Sequence, residues 1–544
     1  MRRKFVFITG GVMSGVGKGV ATASIGALLK ARGLGVTAVK IDPYLNVDPG
    51  TLNPVEHGEV FVTKDGVETD QDIGNYERFL DEDLLAVNYM TTGMVYLSVI
   101  ERERSMGYGG KTVEAVPHIP LEVIDRIKLA AEKNDADVTL IEIGGTVGEY
   151  QNILYLEACR MMRLESPGDV FLVLVSYLPV PSNLGEMKSK PTQYACRSLN
   201  AAGLQPDMII CRSAQAIDDV RKRKLSINCN VAMEDVVAAP DVHSIYEVPL
   251  KFREEHVSDR IAKKLGLPKV KHVRLEQWKK LVRRIQSKKK PVKIGVIGKY
   301  FSTGSFTLSD AYISVLEAIK HAAWAVNREP VIHWLNSEEF ERHPKKMRDD
   351  LRSLDGILIP GGFGTRGVEG KILATQYARE KKIPYLGLCY GMQLATTEFA
   401  RHVLGWKGAS STEFKEHTPH PVIHLMNEQE EKMRDKNYGG SMRLGNYSCK
   451  LKKGSLARKL YGGASDIVER HRHRYEFNPS YRERLERGGF VISGTSPDGN
   501  LAEIIELKNH PFFIASQFHP EFTSRPFRPN PLFLGFVKAA ARTK

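Results

Sequence analysis

Cys389 lies in the run Ile383-Pro384-Tyr385-Leu386-Gly387-Leu388-Cys389-Tyr390-Gly391-Met392-Gln393. An apolar strand-like stretch leads into Gly-Leu-Cys-Tyr-Gly, and a helix-like stretch follows. A cysteine on so sharp a strand-to-helix turn is lifted out of its sheet. The positive end of the following helix and a nearby histidine favour its thiolate. Far downstream, His519-Pro520-Glu521 supplies a histidine with a carboxylate two residues away. Together these types point to a thiolate nucleophile, a histidine that moves protons and a carboxylate that orients the histidine.

A second chemistry is written near the N-terminus. Gly10-Gly11-Val12-Met13-Ser14-Gly15-Val16-Gly17-Lys18-Gly19-Val20 follows an apolar strand-like run and precedes a helix-like one that reaches Lys30. Backbone N–H groups and a helix N-terminus there can cradle phosphates, with Lys18 adding a point charge. The strict P-loop pattern is not met. Val12 stands where its first glycine would fall, and Gly19 replaces the Ser/Thr that usually holds Mg²⁺. Other oxygens must then hold the metal, and one or two carboxylates with phosphate oxygens suffice. Asp72 and Glu142 are the candidates. Glu142 closes a strand-like run, where a carboxylate faces the ligand crevice of a parallel sheet. Asp70 and Asp72 are not separable at this level.

These residues need elements to position them. The chain has 544 residues, more than one core accommodates. Residues 1–270 alternate strand-like and helix-like runs, with strands expected at Phe5–Thr9, Val36–Ile41, Val138–Ile143, Val170–Val175 and Met208–Cys211. That alternation predicts an α/β domain with a doubly wound parallel sheet. Residues 271–291 are charged and read as an exposed linker helix ending at Pro291. A second α/β pattern fills 292–544, beginning at Val292-Lys293-Ile294-Gly295-Val296-Ile297-Gly298.

Composition narrows the class. The six cysteines are scattered, with neither a metal-ligand pair nor a disulfide framework, which fits a reducing, cytoplasmic setting. No apolar run reaches the about 18 residues of a membrane span. Met1-Arg2-Arg3-Lys4 begins like a signal peptide, but its apolar run is too short and reads as a first strand. The net charge of +14 suits either nucleic acid or nucleotide phosphates. The absence of a zinc-finger or aromatic RNA-binding motif favours the second.

The second half resembles the class I glutamine amidotransferases over about residues 291–540. Beyond Cys389 and His519-Pro520-Glu521, the likeness rests on Pro360-Gly361-Gly362-Phe363-Gly364, Ser411-Thr412-Glu413-Phe414 and Arg470-His471-Arg472-His473-Arg474-Tyr475. The phosphate loop, Lys40-Ile41-Asp42-Pro43-Tyr44, Glu56-His57-Gly58-Glu59-Val60-Phe61-Val62, Gly74-Asn75-Tyr76-Glu77-Arg78-Phe79 and Lys190-Pro191-Thr192-Gln193 resemble the CTP synthase family. That resemblance covers essentially the whole chain. The Ser14-Gly15 pair looks more like the eukaryotic members than the bacterial ones.

The resemblance implies ATP-dependent amination of UTP at its 4-position through a phosphorylated intermediate, with glutamine as nitrogen donor. It implies Mg²⁺ with ATP, held by Asp72 and Glu142, and ATP contacts at Gly15, Val16, Gly17, Lys18, Gly19, Val20, Asp72, Asp241 and Val242. UTP, or CTP as feedback inhibitor, would meet Ser14, Lys40, Glu149, Gln151, Lys188, Ser189, Lys190, Pro191, Thr192, Gln193 and Lys224, across a subunit interface of a homotetramer. Cys389 would attack glutamine, with His519 and Glu521 as partners. Gly362, Tyr390, Gln393, Glu413 and Arg474 would hold the substrate, with backbone N–H groups of the Gly-Gly turn and Tyr390 facing the oxyanion. Pro54, His57 and Val60, with Phe363, would lie on a protected ammonia route. The family further implies GTP activation and filament assembly. One departure stands out: Glu149-Tyr150-Gln151 replaces a usual Asp-x-Glu, so CTP inhibition is expected to be altered. Another glutamine-dependent amidoligase, one aminating carboxylates, is the nearest enzymatic alternative, and the Lys-Pro-Thr-Gln and Asp-Pro-Tyr stretches argue against it.

Overall fold

The computed structural model describes residues 2–52, 54–183, 185–270, 272–299, 302–303, 306–307, 310–425 and 442–542. They divide into two compact units, one of residues 1–48 with 72–286 and one of 49–71 with 287–544.

The first unit is built on seven strands, β1 (Lys4–Gly11), β2 (Val36–Asp42), β3 (Tyr89–Thr91), β4 (Val138–Ile143), β5 (Val170–Tyr177), β6 (Met208–Ser213) and β7 (Val236–Pro240). They lie in the order β3-β2-β4-β1-β5-β6-β7, and every neighbouring pair is parallel. Val6, Phe7 and Ile8 are wholly buried, as a strand covered by helices on both faces requires. The five expected strands are present, each within about two residues of its expected ends. The missed ones are short: β3 has three residues, and β7 is Val-Val-Ala-Ala-Pro. Helix α1 (Lys18–Ala31) follows the phosphate loop and packs closely on the sheet. A Cβ on its Gly26 would lie 2.9 Å from both Leu140 and Leu80 side chains.

The expected linker helix is corrected on two points. It spans Glu276–Gln286, and Lys290 and Pro291 already belong to the next strand. Nor is it free in solvent. Trp278, Leu281, Val282 and Ile285 form one buried face, and the Trp278 ring lies 5.3 Å, centroid to centroid, from Phe79 in a tilted contact. The spacing of those four apolar residues is helical, which makes a packed stripe and leaves the lysines and arginines outward.

The main sheet of the second unit has nine strands, β8 (Lys290–Gly298), β9 (Arg328–Asn336), β10 (Gly356–Ile359), β11 (Tyr385–Leu388), β12 (Arg443–Leu451), β13 (Asp466–His473), β14 (Phe490–Thr495), β15 (Ala502–Leu507) and β16 (Phe513–Ser516). Their order is β9-β8-β10-β11-β16-β15-β14-β12-β13. The first five run parallel and the pairings beyond β16 are antiparallel.

Residues 49–71, expected in the N-terminal domain, are counted in the second unit. Three anchors explain it. Glu59 accepts from the backbone N–H of Ser314, Arg472 pairs with Glu68 at 2.7 Å, and Arg470 donates to the carbonyl of Val62 at 3.0 Å. Phe61 adds an edge-on ring contact with Phe522.

Candidate active sites

Cys389 occupies the junction between β11 and the helix Tyr390–His402, with φ 49° and ψ −97°. A non-glycine residue there stores backbone strain. The surroundings force it. A Cβ on Gly391 would lie 2.3 Å from the carbonyl oxygen of Ile359, and one on Gly387 would lie 2.9 Å from the Ala515 Cβ. Only glycines on both flanks let the chain turn so close to β10 and β16. The backbone N–H of Cys389 donates to the Ser516 carbonyl at 2.6 Å, which ties the turn to β16.

His519 follows β16 closely, and its Nδ1 lies 2.7 Å from Glu521 Oε1. Burial opposes its charging, but Glu521 and Cys389 outweigh that and raise its pKa to about 10. An imidazolium beside the sulfur is the state that favours a thiolate. Cys389, His519 and Glu521 line one cavity of about 310 Å³ with Gly361, Gly362 and Arg474. Val60 and Phe363 line it as well. His57 belongs to the same unit, and the side chain of Pro54 lies outside the described residues.

The loop after β10 is clamped from several sides. Gly364 N–H donates to Glu413 Oε1 at 2.6 Å, and Tyr390 Oη donates to the Gly364 carbonyl at 2.6 Å. Lys299 donates to the Phe363 carbonyl. Burial raises the Glu413 pKa, against the Gly364 N–H and Lys299. Gln393 donates to the Tyr475 carbonyl at 3.0 Å. The arrangement can hold an amide-bearing substrate with a positive group against Glu413 and an acidic group against Arg474.

In the first unit, register explains the charged cluster. Lys40 of β2 pairs in register with Glu142 of β4, so both side chains leave the sheet on one face. Lys40 Nζ lies 2.9 Å from Glu142 and 2.5 Å from Asp72. Tyr76 donates to the other oxygen of Glu142. The carboxylates respond differently. Burial opposes ionisation of both, yet the closer Lys40 holds Asp72 below its ordinary range while Glu142 is pushed up. Asp72 also fills the gap at position 19, since a Cβ on Gly19 would lie 2.0 Å from its Oδ1. Thus the volume of the missing P-loop Ser/Thr is taken by a carboxylate from another helix. Lys18 donates to the Gly145 carbonyl at 2.8 Å, and burial lowers its pKa despite Glu142.

The loop's backbone takes positive φ at three positions. Gly17 and Gly15 have φ 91° and 70°, and Val12 has φ 80°. A β-branched residue there costs on the order of 1–2 kcal/mol. Ser14 and Gly15 are exposed, Val16 is buried, and Gly17 and Val20 line a 190 Å³ cavity with Arg212, Asp241 and Val242.

The remaining expected nucleotide residues divide. Glu149 folds back to accept from Thr146 N–H at 3.0 Å, and Gln151 is exposed. Lys188 pairs with Glu186 at 2.6 Å, and Lys190 is exposed at the start of the helix Lys190–Ala201. Thr192 is turned inward and receives the Ser176 hydroxyl at 2.9 Å, while Gln193 donates to Ser189 Oγ at 3.1 Å. Lys224 is exposed on the helix Asp219–Cys229. Among the described residues, no cluster of three or more His, Cys, Asp or Glu side chains is arranged to hold a metal. Two carboxylates, as here, fit a metal that takes its other oxygens from phosphates and water.

Comparison with known proteins decides the family. Residues 4–267 match the CTP synthase N-terminus and residues 307–539 match the class-I glutamine amidotransferases. A CTP synthase of Carboxydothermus hydrogenoformans is 51% identical, covering 99% of each chain. One of Caldanaerobacter subterraneus is 49% identical, again over 99% of each. The chain belongs to the CTP synthase family. The CTP synthase of Thermus thermophilus is 48% identical over 99% of this chain and 97% of its own. Among solved structures, the glutaminase domain of Trypanosoma brucei CTPS with bound acivicin is 40% identical. It covers 46% of this chain and 95% of its own, with a TM-score of 0.43.

In this CTP synthase family member, sequence reading missed Gln517 and Arg472. Gln517 Nε2 approaches Cys389 Sγ at 3.6 Å, and Arg472 lines the thiol cavity. Gln517 precedes His519 by two residues, so its alternation with His519 was the available signal. Arg472 falls in the run Arg470–Tyr475, but no local signal marks its contact, because its partner Glu68 is 404 residues away in sequence. The described residues include no helix long and apolar enough to cross a membrane.

Proposed function

We propose that the chain converts UTP to CTP in an ATP-dependent reaction and draws the nitrogen from glutamine. The observation that carries this reading is the joint presence, in a CTP synthase family chain, of the Cys389–His519–Glu521 set and the Lys18–Lys40–Asp72–Glu142 cluster.

In the second unit, Cys389 sulfur attacks the glutamine amide carbon. The carbonyl electron pair moves onto oxygen, where N–H groups of Gly362 and Tyr390 receive it; losing one such donor typically costs on the order of 10²–10³ in rate. His519 gives its proton to the departing nitrogen, the C–N bond breaks, and ammonia leaves a thioester that water hydrolyses. Glu521 keeps the imidazole oriented and favours its charged form. Glu413, Gln393 and Arg474 hold the glutamine. Ammonia must stay unprotonated to react, and Val60, Phe363, His57 and Pro54 are proposed to shelter it.

In the first unit, the uracil 4-oxygen takes the terminal phosphoryl group of ATP. Ammonia then attacks the 4-carbon and phosphate departs with that oxygen. Lys18 and Lys40 face the phosphates, Gly15 to Val20 wrap them, and the cavity at Asp241 and Val242 suits the adenine. Mg²⁺ accompanying ATP would be held by Asp72 and Glu142 and would neutralise phosphate charge. Ser14, Glu149, Gln151, the run Lys188–Gln193 and Lys224 are assigned to UTP, or to CTP as inhibitor. GTP activation, a homotetramer that assembles into filaments, and a cytoplasmic location complete the reading. The nearly fully exposed Tyr150 and the exposed Tyr194 support assembly, since large apolar side chains left bare mark interaction surfaces.

The test is CTP formation from UTP, ATP and Mg²⁺ with either glutamine or ammonium, in wild type and Cys389→Ala. Loss with glutamine and retention with ammonium is expected. No CTP from either nitrogen source in the wild type, with GTP present, would overturn the reading.

A further inference from the structure

Lys371 has no part in the chemistry above, yet its placement is unusual. It lies on the helix Val368–Lys381 with its side chain wholly buried. Its Nζ has no hydrogen-bond partner among the described residues. The ammonium sits 5.1 Å from the Tyr390 ring centroid, over its face. On the other side, a Cβ built on Gly362 would lie 3.8 Å from the same Nζ. Lys371 therefore stands directly behind the loop proposed to receive the oxyanion and beside the ring of the residue after Cys389.

Its neighbours are already committed. Lys299 is spent on the Phe363 carbonyl, Tyr390 Oη on the Gly364 carbonyl, and Glu413 on the Gly364 N–H. These bonds fix the loop without Lys371. A buried ammonium without a hydrogen-bond partner costs stability, and a methionine of similar length would fill the same space without that cost. Stability given up at a site of this kind is the usual sign of function.

We propose that Lys371 is a positioning residue for glutamine hydrolysis: its buried charge, acting through the Gly361–Gly364 loop and Tyr390, stabilises the oxyanion formed when Cys389 attacks the amide. The inference rests on the proposed role of Cys389 and that loop. Lys371 exchanges no proton or bond with substrate. When protonated, it supplies a positive potential in a dry interior, where charge is poorly screened. Burial, with Lys299 nearby, lowers its pKa to about 7, while Glu413 opposes the shift. Negative charge developing in front of the loop favours the protonated form, so the cation is strengthened when it is needed.

The experiment uses the full-length Lys371→Met protein with saturating GTP. Glutaminase kcat is expected to fall roughly 10-fold to 100-fold, less than or comparable to losing a direct oxyanion donor, with KM nearly unchanged. Thermal stability should hold or rise. Alkylation of Cys389 by iodoacetamide, which passes through no oxyanion, should keep its wild-type rate. Unchanged kcat would overturn the proposal, as would kcat and alkylation falling together, which would place the effect on the thiol. Lys371→Gln is the second variant, and failure of both to fold would make Lys371 a structural residue and end the proposal. Cys389→Ala separates the two levels. If it retains glutaminase activity, the reading of the site fails, independently of Lys371.

Discussion

Gly19 and Asp72 compete for one volume. A Cβ at position 19 would lie 2.0 Å from the Asp72 carboxylate oxygen, so the glycine is what admits the carboxylate. This explains why the loop departs from the P-loop pattern at that residue. Gly19→Ser would restore the pattern in sequence and displace Asp72 in space. Ammonia-dependent CTP formation is expected to drop on the order of 10²-fold, the usual cost of a misplacement of about 1 Å. Glutaminase activity should persist. A Gly19→Ser enzyme with wild-type ammonia-dependent rates would refute the arrangement.

Gly361 plays a similar part for the histidine. Its added Cβ would meet His519 Cε1 at 2.8 Å. Gly361→Ala should tilt the imidazole away from Cys389 and lower glutamine-dependent CTP formation by roughly 10²-fold, with the ammonium-dependent rate preserved. Equal losses with both nitrogen sources would point to global damage instead.

The His519–Glu521 pair makes a prediction about pH. The folded-state pKa of His519, about 10, lies above its ordinary value. Its stabilisation is therefore complete below about pH 6.5 and fades as pH rises through about 10. The alkaline limb of glutaminase kcat/KM should follow the same proton. Glu521→Gln removes a raising influence, so the limb should move to lower pH and the stability slope between those values should flatten. Rate profiles and melting temperatures across that range check both. An unmoved limb would mean that another group controls it.

Gln151 tests the proposed feedback site. It is exposed, next to a Glu149 that folds onto Thr146. A glutamine keeps hydrogen-bonding ability but lacks the charge of the usual glutamate, so inhibition by CTP should differ between wild type and Gln151→Glu. Identical inhibition constants for the two proteins would remove this residue from CTP sensing.

Much of the molecule could be read along the chain because the signals are local. Alternating apolar runs specify β1, β2, β4, β5 and β6, since a strand covered on both faces needs such a run and little else. The turn at Cys389 is marked by its two glycines, and the phosphate loop by glycines before a lysine. The short β3 and β7 carry too few residues to show a period.

Tertiary structure alone decided the rest. Asp70 and Asp72 are indistinguishable in sequence, yet they are counted in different units, and Asp72 pairs with Lys40 within the first. Residues 49–71 join the second unit through Glu68 and Arg472, and Lys371 comes to lie behind Gly362. A residue's type sets what bond it can make. Which partner it meets depends on chain closure over long separations, and that is fixed when the whole core packs rather than within any window of neighbours.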